Sequence, residues 1–228
     1  MIVIRNPAAR KLLKILIPAV LMPLAIIIGV TLLEQKNYAL VATVVAILSL
    51  LLFAAGYEKK KTGSRRMVIV AVMIALSVAG RFIPLFKPVT ALTVITAVWL
   101  GGEAGFLVGA MSALISNFYF GQGPWTPFQM FVCGLIGLLA GALSAPLKKS
   151  RLLMVLYGFV SGIAYSLIMD IWTVLWYNSG FSAELYLAAL LSATPHTALY
   201  AVSNVIFLWL LAKPFGEKLE RVKVKYGV

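Results

Sequence analysis

A chain of 228 residues that is 62% hydrophobic and only 12% charged does not make a soluble globule, for which about 45–50% apolar and 25% charged residues are usual. Its apolar runs reach the roughly 20 residues that a helix needs to cross a hydrocarbon core, so the expected fold class is an all-α polytopic membrane protein. The net charge of +13 does not point to nucleic acid, because Lys and Arg gather beside the ends of apolar runs, where cytoplasmic loops collect them.

The first run, 12–33, follows Arg5, Arg10, Lys11 and Lys14 and looks like a signal peptide. No small-residue cleavage site follows it, and Glu34-Gln-Lys-Asn37 leads straight into a second run at 39–57, so a retained helix is expected. The strongest charge run, Glu58-Lys-Lys-Lys-Thr-Gly-Ser-Arg-Arg66, reads as a cytoplasmic linker. It divides a two-helix extension with its basic linker, 1–62, from a six-helix remainder, 63–228.

The third run, 67–86, carries Ala71, Ala75 and Ala79 on one stripe. Small residues four apart let a second helix approach closely. Gly105/Gly109 and Gly137/Gly141/Ala145 repeat that spacing, so spacing alone does not select the face that meets a partner. The connection Arg81-Phe-Ile-Pro-Leu-Phe-Lys87-Pro88 holds two of the few basic residues outside the clusters.

Residues 88–119 read either as one very long helix or as two short ones, 88–100 and 104–119, split at Gly101-Gly102-Glu103. Charge decides between them. Four basic clusters, around residues 5–14, 59–66, 148–151 and 213–225, hold most of the 20 basic residues. If all are cytoplasmic, an even number of crossings separates each pair. Gly101-Gly102 is then a cytoplasmic turn, and the chain has about eight transmembrane helices with both termini in the cytoplasm of a multi-pass plasma-membrane protein.

By the same count the segment Phe118–Met130 begins outside. It interrupts the apolar runs with two Gly, two Pro, two Gln and Trp125, and Gly and Pro punctuate it too densely for a spanning helix. A structured cap over a pocket is expected there. The remaining runs are 128–146, 152–177 and 185–212. Pro88, Pro127 and Pro195 each sit at an expected first helical position, and Thr126 and Thr194 suit the N-cap. The last crossing would therefore be 195–212, with 184–193 a short outer or re-entrant helix.

Candidate chemistry is sparse. The sequence has no H-E-x-x-H, no Cys/His cluster, no paired carboxylates in an apolar run and no phosphate-binding G-x-x-x-x-G-K-[ST]. Catalysis and ATP hydrolysis by this chain are not expected, nor is a metal or cofactor of its own. Cys133 reads as a packing thiol. Asp170 is the one acidic residue within an apolar run, so it should face a cavity or a partner such as Arg81. His196, near the expected start of the last helix, is either a structural or a ligand-binding histidine. Tyr165, Trp172, Trp176, Tyr177 and Tyr186 gather toward the outer end, where aromatic belts also occur without any ligand.

With the alanine stripe Ala71/Ala75/Ala79 and the outer segment Phe120-Gly-Gln-Gly-Pro-Trp-Thr-Pro-Phe-Gln-Met130, residues 63–228 resemble the substrate-binding S component of an energy-coupling factor (ECF) vitamin transporter. The outer segment is similar to that of the cobalamin-related group. The resemblance implies a membrane subunit that captures a vitamin from outside and topples in the bilayer once docked on a separate transmembrane coupling subunit. Two ATPase subunits, using ATP and Mg, power that cycle. It also implies that Ala71, Ala75 and Ala79 face the coupling subunit.

For the pocket, Arg81 and Lys87 are expected to hold anionic groups, with Trp125 and Phe128 stacking on flat ligand surface. Gln122 and Gln129 supply hydrogen bonds, and Asp170, Tyr165 and His196 form the opposite wall. Cobalamin, with its many amides and one phosphodiester, suits that mixture, as do other vitamins. The competing readings are a stand-alone secondary transporter of a small organic solute, with Asp170 and Asn204 as sparse coupling-ion ligands, a membrane enzyme acting on lipid-like substrates, and a non-transporting scaffold.

Overall fold

Asn6 opens the first helix: its side-chain oxygen accepts the backbone N–H of Ala8 at 2.9 Å and of Ala9 at 3.4 Å, satisfying donors that every helix N-terminus orphans. In the computed structural model, which describes residues 6–31, 37–56, 60–178 and 180–226, every regular element is helical. Helix α1 (Pro7–Leu16) passes through a π turn at Ile17–Leu21 into α2 (Met22–Thr31). Pro18, lacking an N–H, lies in that widened turn. Arg5 and Glu34 to Lys36, cited above for charge and connection, lie outside the described residues.

Helix α3 (Tyr38–Ala55) returns, and α1 to α3 bury Ile17, Met22, Ile26, Val45 and Leu52 in one cluster with Phe106, Ala110 and Met130. The extension is thus packed onto the bundle through a shared apolar core. Lys14 Nζ lies 2.5 Å from Glu103 Oε1, which ties α1 to the turn between the fifth and sixth helices.

The expected linker is partly helical. Helix α4 (Lys60–Gly80) already includes Arg65 and Arg66, because nothing in 60–66 breaks a helix except one Gly; residues 57–59 lie outside the described residues. Helix α5 (Val89–Leu100) has 12 residues, about 18 Å at 1.5 Å per residue, too short to cross alone. It is almost wholly buried, its three threonines included, which fits a central helix. Pro88 precedes it as the N-cap residue. Gly101 then reverses the chain at φ 100° into α6 (Gly102–Phe120), so 88–119 is two helices, as the charge pattern requires.

Helices α6 and α7 (Thr126–Ala142) cross very closely. A Cβ on Gly109 would stand 2.3 Å from the Cys133 carbonyl oxygen, and one on Gly141 2.2 Å from Gly102 Cα. The glycine stripes are therefore spent on packing inside the bundle. Ala71, Ala75 and Ala79 are all exposed, while Val70, Met73 and Ser77 of the same helix are buried. The structure thus separates stripes that spacing could not.

After the short α8 (Ser144–Lys149), α9 (Arg151–Asn178) pairs with α10 (Ala183–Tyr226). Gly162 admits Ala201, whose Cα would lie 2.8 Å from an added Cβ, and Asn204 Nδ2 donates to the Gly158 carbonyl at 3.0 Å. Asn204 is therefore a buried helix–helix tie rather than a partner of Asp170.

Helix α10 corrects the expected break at Pro195. It runs unbroken for 44 residues with Pro195 and Pro214 inside it, so 184–193 is not a separate helix. Thr194 does not cap: its hydroxyl donates to the Leu190 carbonyl at 2.9 Å, as Thr197 does to Ala193 at 3.0 Å. Membrane helices tolerate an internal proline where local side chains and neighbouring helices compensate the broken ladder. Among the described residues, four stretches are long and apolar enough to cross a membrane: Pro7–Gly29, Tyr38–Ala55, Arg151–Asn178 and Ala183–Lys225.

Candidate functional site

One end of the bundle gathers the polar residues that its apolar walls would otherwise exclude. A cavity of about 70 Å³ is lined by Arg81, Lys87, Gln129, Tyr165, His196 and Tyr200, with Val89, Ala113 and Cys133 as its apolar floor. Arg81 and Lys87 arrive from the connection between α4 and α5, Gln129 from the first turn of α7, Tyr165 from α9, and His196 and Tyr200 from α10. Five expected site residues from four separate stretches of sequence thus meet around one space.

Their orientation is fixed by a chain of hydrogen bonds. Arg81 Nη1 donates to Ser116 and, at 2.6 Å, to Asn117 Oδ1. Asn117 Nδ2 donates to Gln129 Oε1 at 2.8 Å and to Thr126 Oγ1 at 3.1 Å. Gln129 Nε2 then donates to the Tyr165 hydroxyl at 2.7 Å. On the far wall Tyr200 shares a 2.6 Å hydrogen bond with Thr90. Its ring lies 5.0 Å from that of Tyr165 and is nearly parallel to His196 at 6.3 Å. Flat aromatic faces thus stand beside a fixed array of donors and acceptors.

The rim is cationic and aromatic. Phe120 lies under both the Arg81 guanidinium, at 4.9 Å, and the Lys87 ammonium, at 5.5 Å, and itself packs on Phe82 and Tyr119. Partial burial, with the Arg81 charge adding to it, pulls the Lys87 pKa below the ordinary lysine value. The Lys87 backbone is pinned to α10, since Ser203 Oγ accepts its N–H at 2.8 Å and donates to its carbonyl at 3.0 Å.

Four expected site residues stand elsewhere. Gln122 Nε2 donates to the Leu114 carbonyl at 3.0 Å. Trp125 is half exposed and rests on Gly123, where any Cβ would fall 2.3 Å from the indole; the ring serves the Gly123–Thr126 turn. Phe128 stacks on Trp172 at 5.5 Å. Asp170 does not pair with Arg81, whose guanidinium is taken by Ser116 and Asn117. The sequence reading missed Ser116, Asn117, Thr90 and Tyr200. A buried Ser-Asn pair within an otherwise apolar helix was the available signal for the first two.

A polytopic helical membrane protein with a small polar and aromatic recess at one end and an exposed small-residue face on one helix fits the class of membrane transport subunits. The profile of the family described as "ECF-type riboflavin transporter, S component" matches residues 61–220, and the chain belongs to that family. No curated protein and no solved structure matches it. S components are substrate-specific transport subunits rather than enzymes, and they work with an ECF coupling subunit and ATPases.

Proposed function

We propose that this chain captures a flat, hydrogen-bonding vitamin of the riboflavin type from the outer side of the plasma membrane and delivers it by docking on an ECF coupling subunit driven by two ATPases. The observation that carries the reading is the recess where Arg81, Gln129, Tyr165 and Tyr200 converge in the family's matched region. Tyr165, Tyr200 and His196 offer faces for a planar ring, and Arg81, Asn117 and Gln129 offer polar edges. The family description names riboflavin, which favours a flavin over cobalamin. At about 70 Å³ the recess is smaller than any vitamin, so binding requires the outer connections 81–88 and 121–125 to part. A corrin would demand far more of that opening than a flavin.

The remaining assignments follow from the same reading. The basic clusters mark the cytoplasmic face, with both termini inside and eight crossings, the short α5 making its own inside the bundle, where neighbouring helices cover it. Lys87 and Arg81 guide ligand at the mouth, Gln122 and Trp125 belong to the connection that opens, Phe128 meets ligand at the start of α7, and Asp170 faces the same outer end. Residues 1–62 form a two-helix extension beside the 63–228 binding bundle. The exposed Ala71/Ala75/Ala79 stripe meets the coupling subunit. Titrating purified protein with riboflavin, using quenching of flavin fluorescence, tests the ligand: saturable one-to-one binding that Arg81→Ala and Gln129→Ala weaken supports it, and binding of cobalamin but not riboflavin overturns it.

A further inference from the structure

At the other end of the bundle lies a larger cavity that vitamin capture does not use. It encloses about 320 Å³ among the ends of α4, α5, α8 and α10. Arg66, Lys148 and Lys223 line it with Trp99 and the Ser144 hydroxyl, and among the described residues no carboxylate lines it. Arg66 and Arg81 are 15 positions apart on and just beyond α4, about 22 Å along a helix axis, so the two cavities occupy opposite ends.

The walls of this cavity are held in place. Arg66 donates to the Leu100 carbonyl and, at 3.3 Å, to that of Gly56, and its guanidinium lies 4.0 Å from Glu103. Lys148 sits 5.8 Å over the Trp99 ring and 3.5 Å from Glu220. Gly216 lets α10 press against Trp99, since a Cβ there would stand 2.3 Å from the indole. Set against Glu103 beside Arg66 and Glu220 beside Lys148, the three cations leave a net positive site.

Cations, an indole and a hydroxyl at the ends of membrane-crossing helices match the chemistry of an anionic headgroup at headgroup depth. Exposed Leu143, next to Ser144 in the chain, supplies apolar surface for an acyl chain beside it. We propose that this cavity binds the phosphate of an anionic phospholipid of the inner leaflet. Lys148 and Lys223 hold the phosphate oxygens, Arg66, tied to Gly56, Leu100 and Glu103, adds charge to the wall, and Trp99 packs on the glycerol. The leaflet rests on the orientation proposed above; the site itself does not.

The test is native mass spectrometry of the full chain in detergent, titrated with phosphatidylglycerol or phosphatidylcholine. One phosphatidylglycerol should be retained at least tenfold better than phosphatidylcholine. Lys223→Gln and Lys148→Gln should each weaken it about fivefold, the loss expected for one cation near an anionic lipid. Riboflavin binding by both variants, measured on the same preparations, should be unchanged, so that a failed vitamin assignment and a failed lipid site are told apart. Equal retention of the two lipids, or retention indifferent to both variants, overturns the proposal. Occupation by inorganic phosphate that phosphatidylglycerol does not displace overturns the lipid source in favour of a soluble phosphate compound.

Discussion

Asn117 offers the sharpest perturbation. Its side chain is 1% exposed and makes three side-chain hydrogen bonds, to Arg81, Thr126 and Gln129. Asn117→Leu keeps the heavy-atom count and the branching at Cγ and removes all three. Neutral bonds contribute about 0.5–1.5 kcal/mol each and one to a charged group about 1.5–3, so the sum runs to several kcal/mol. Arg81 and Gln129 both line the cavity, however, and can turn to water there, which reduces the net loss to about 3 kcal/mol. For a protein of this size that lowers Tm by about 6–12 °C. Riboflavin affinity should fall at least tenfold as well, because Arg81 and Gln129 lose the residue that aims both. The assays are thermal unfolding in detergent and flavin fluorescence titration. An unchanged affinity in a variant whose Tm has dropped would refute the claim that Asn117 organises the site.

Three further outcomes follow from the geometry. Ala75→Trp enlarges an exposed position, so vitamin binding by the isolated protein should stay intact while uptake by the assembled transporter is abolished; lost binding would put the stripe in the pocket or core. Gly109→Val places carbon 2.3 Å from the Cys133 carbonyl, and folded protein recovered from membranes should fall severely; normal yield and Tm would contradict the α6–α7 crossing. Burial and Arg81 lower the folded-state pKa of Lys87, so the unfolded chain binds more protons and stability rises with pH. This contribution is lost as pH falls through the lowered pKa; Lys87→Met should flatten the alkaline slope in a Tm-against-pH series, and an unaltered slope would refute it.

Helices were legible because hydropathy and charge act locally. The Gly101 turn followed from counting crossings between basic clusters, and the chain does reverse there at φ 100°. Pro195 misled because proline ends helices in water, whereas α10 carries it internally beside Thr194 and Thr197 hydroxyls bonded to its own carbonyls. Arg81, Lys87, Gln129, Tyr165 and His196 stood out as polar or aromatic residues with no local reason to be there. Asn117 did not, since its partners Arg81 and Gln129 lie 36 and 12 positions away, and only folding brings them together. Which small-residue stripe packs inside and which stays open is likewise a property of the whole bundle: α7 covers Gly109, whereas Ala75 stays exposed among the described residues.

The central claim is that this chain selects the vitamin while other subunits power its passage. Uptake of labelled riboflavin into proteoliposomes, with and without the coupling subunit and its ATPases, tests it most directly. ATP-dependent accumulation is expected only in the complete assembly, with binding but no accumulation by this chain alone. Accumulation by this chain alone, driven by an ion gradient, would contradict that claim.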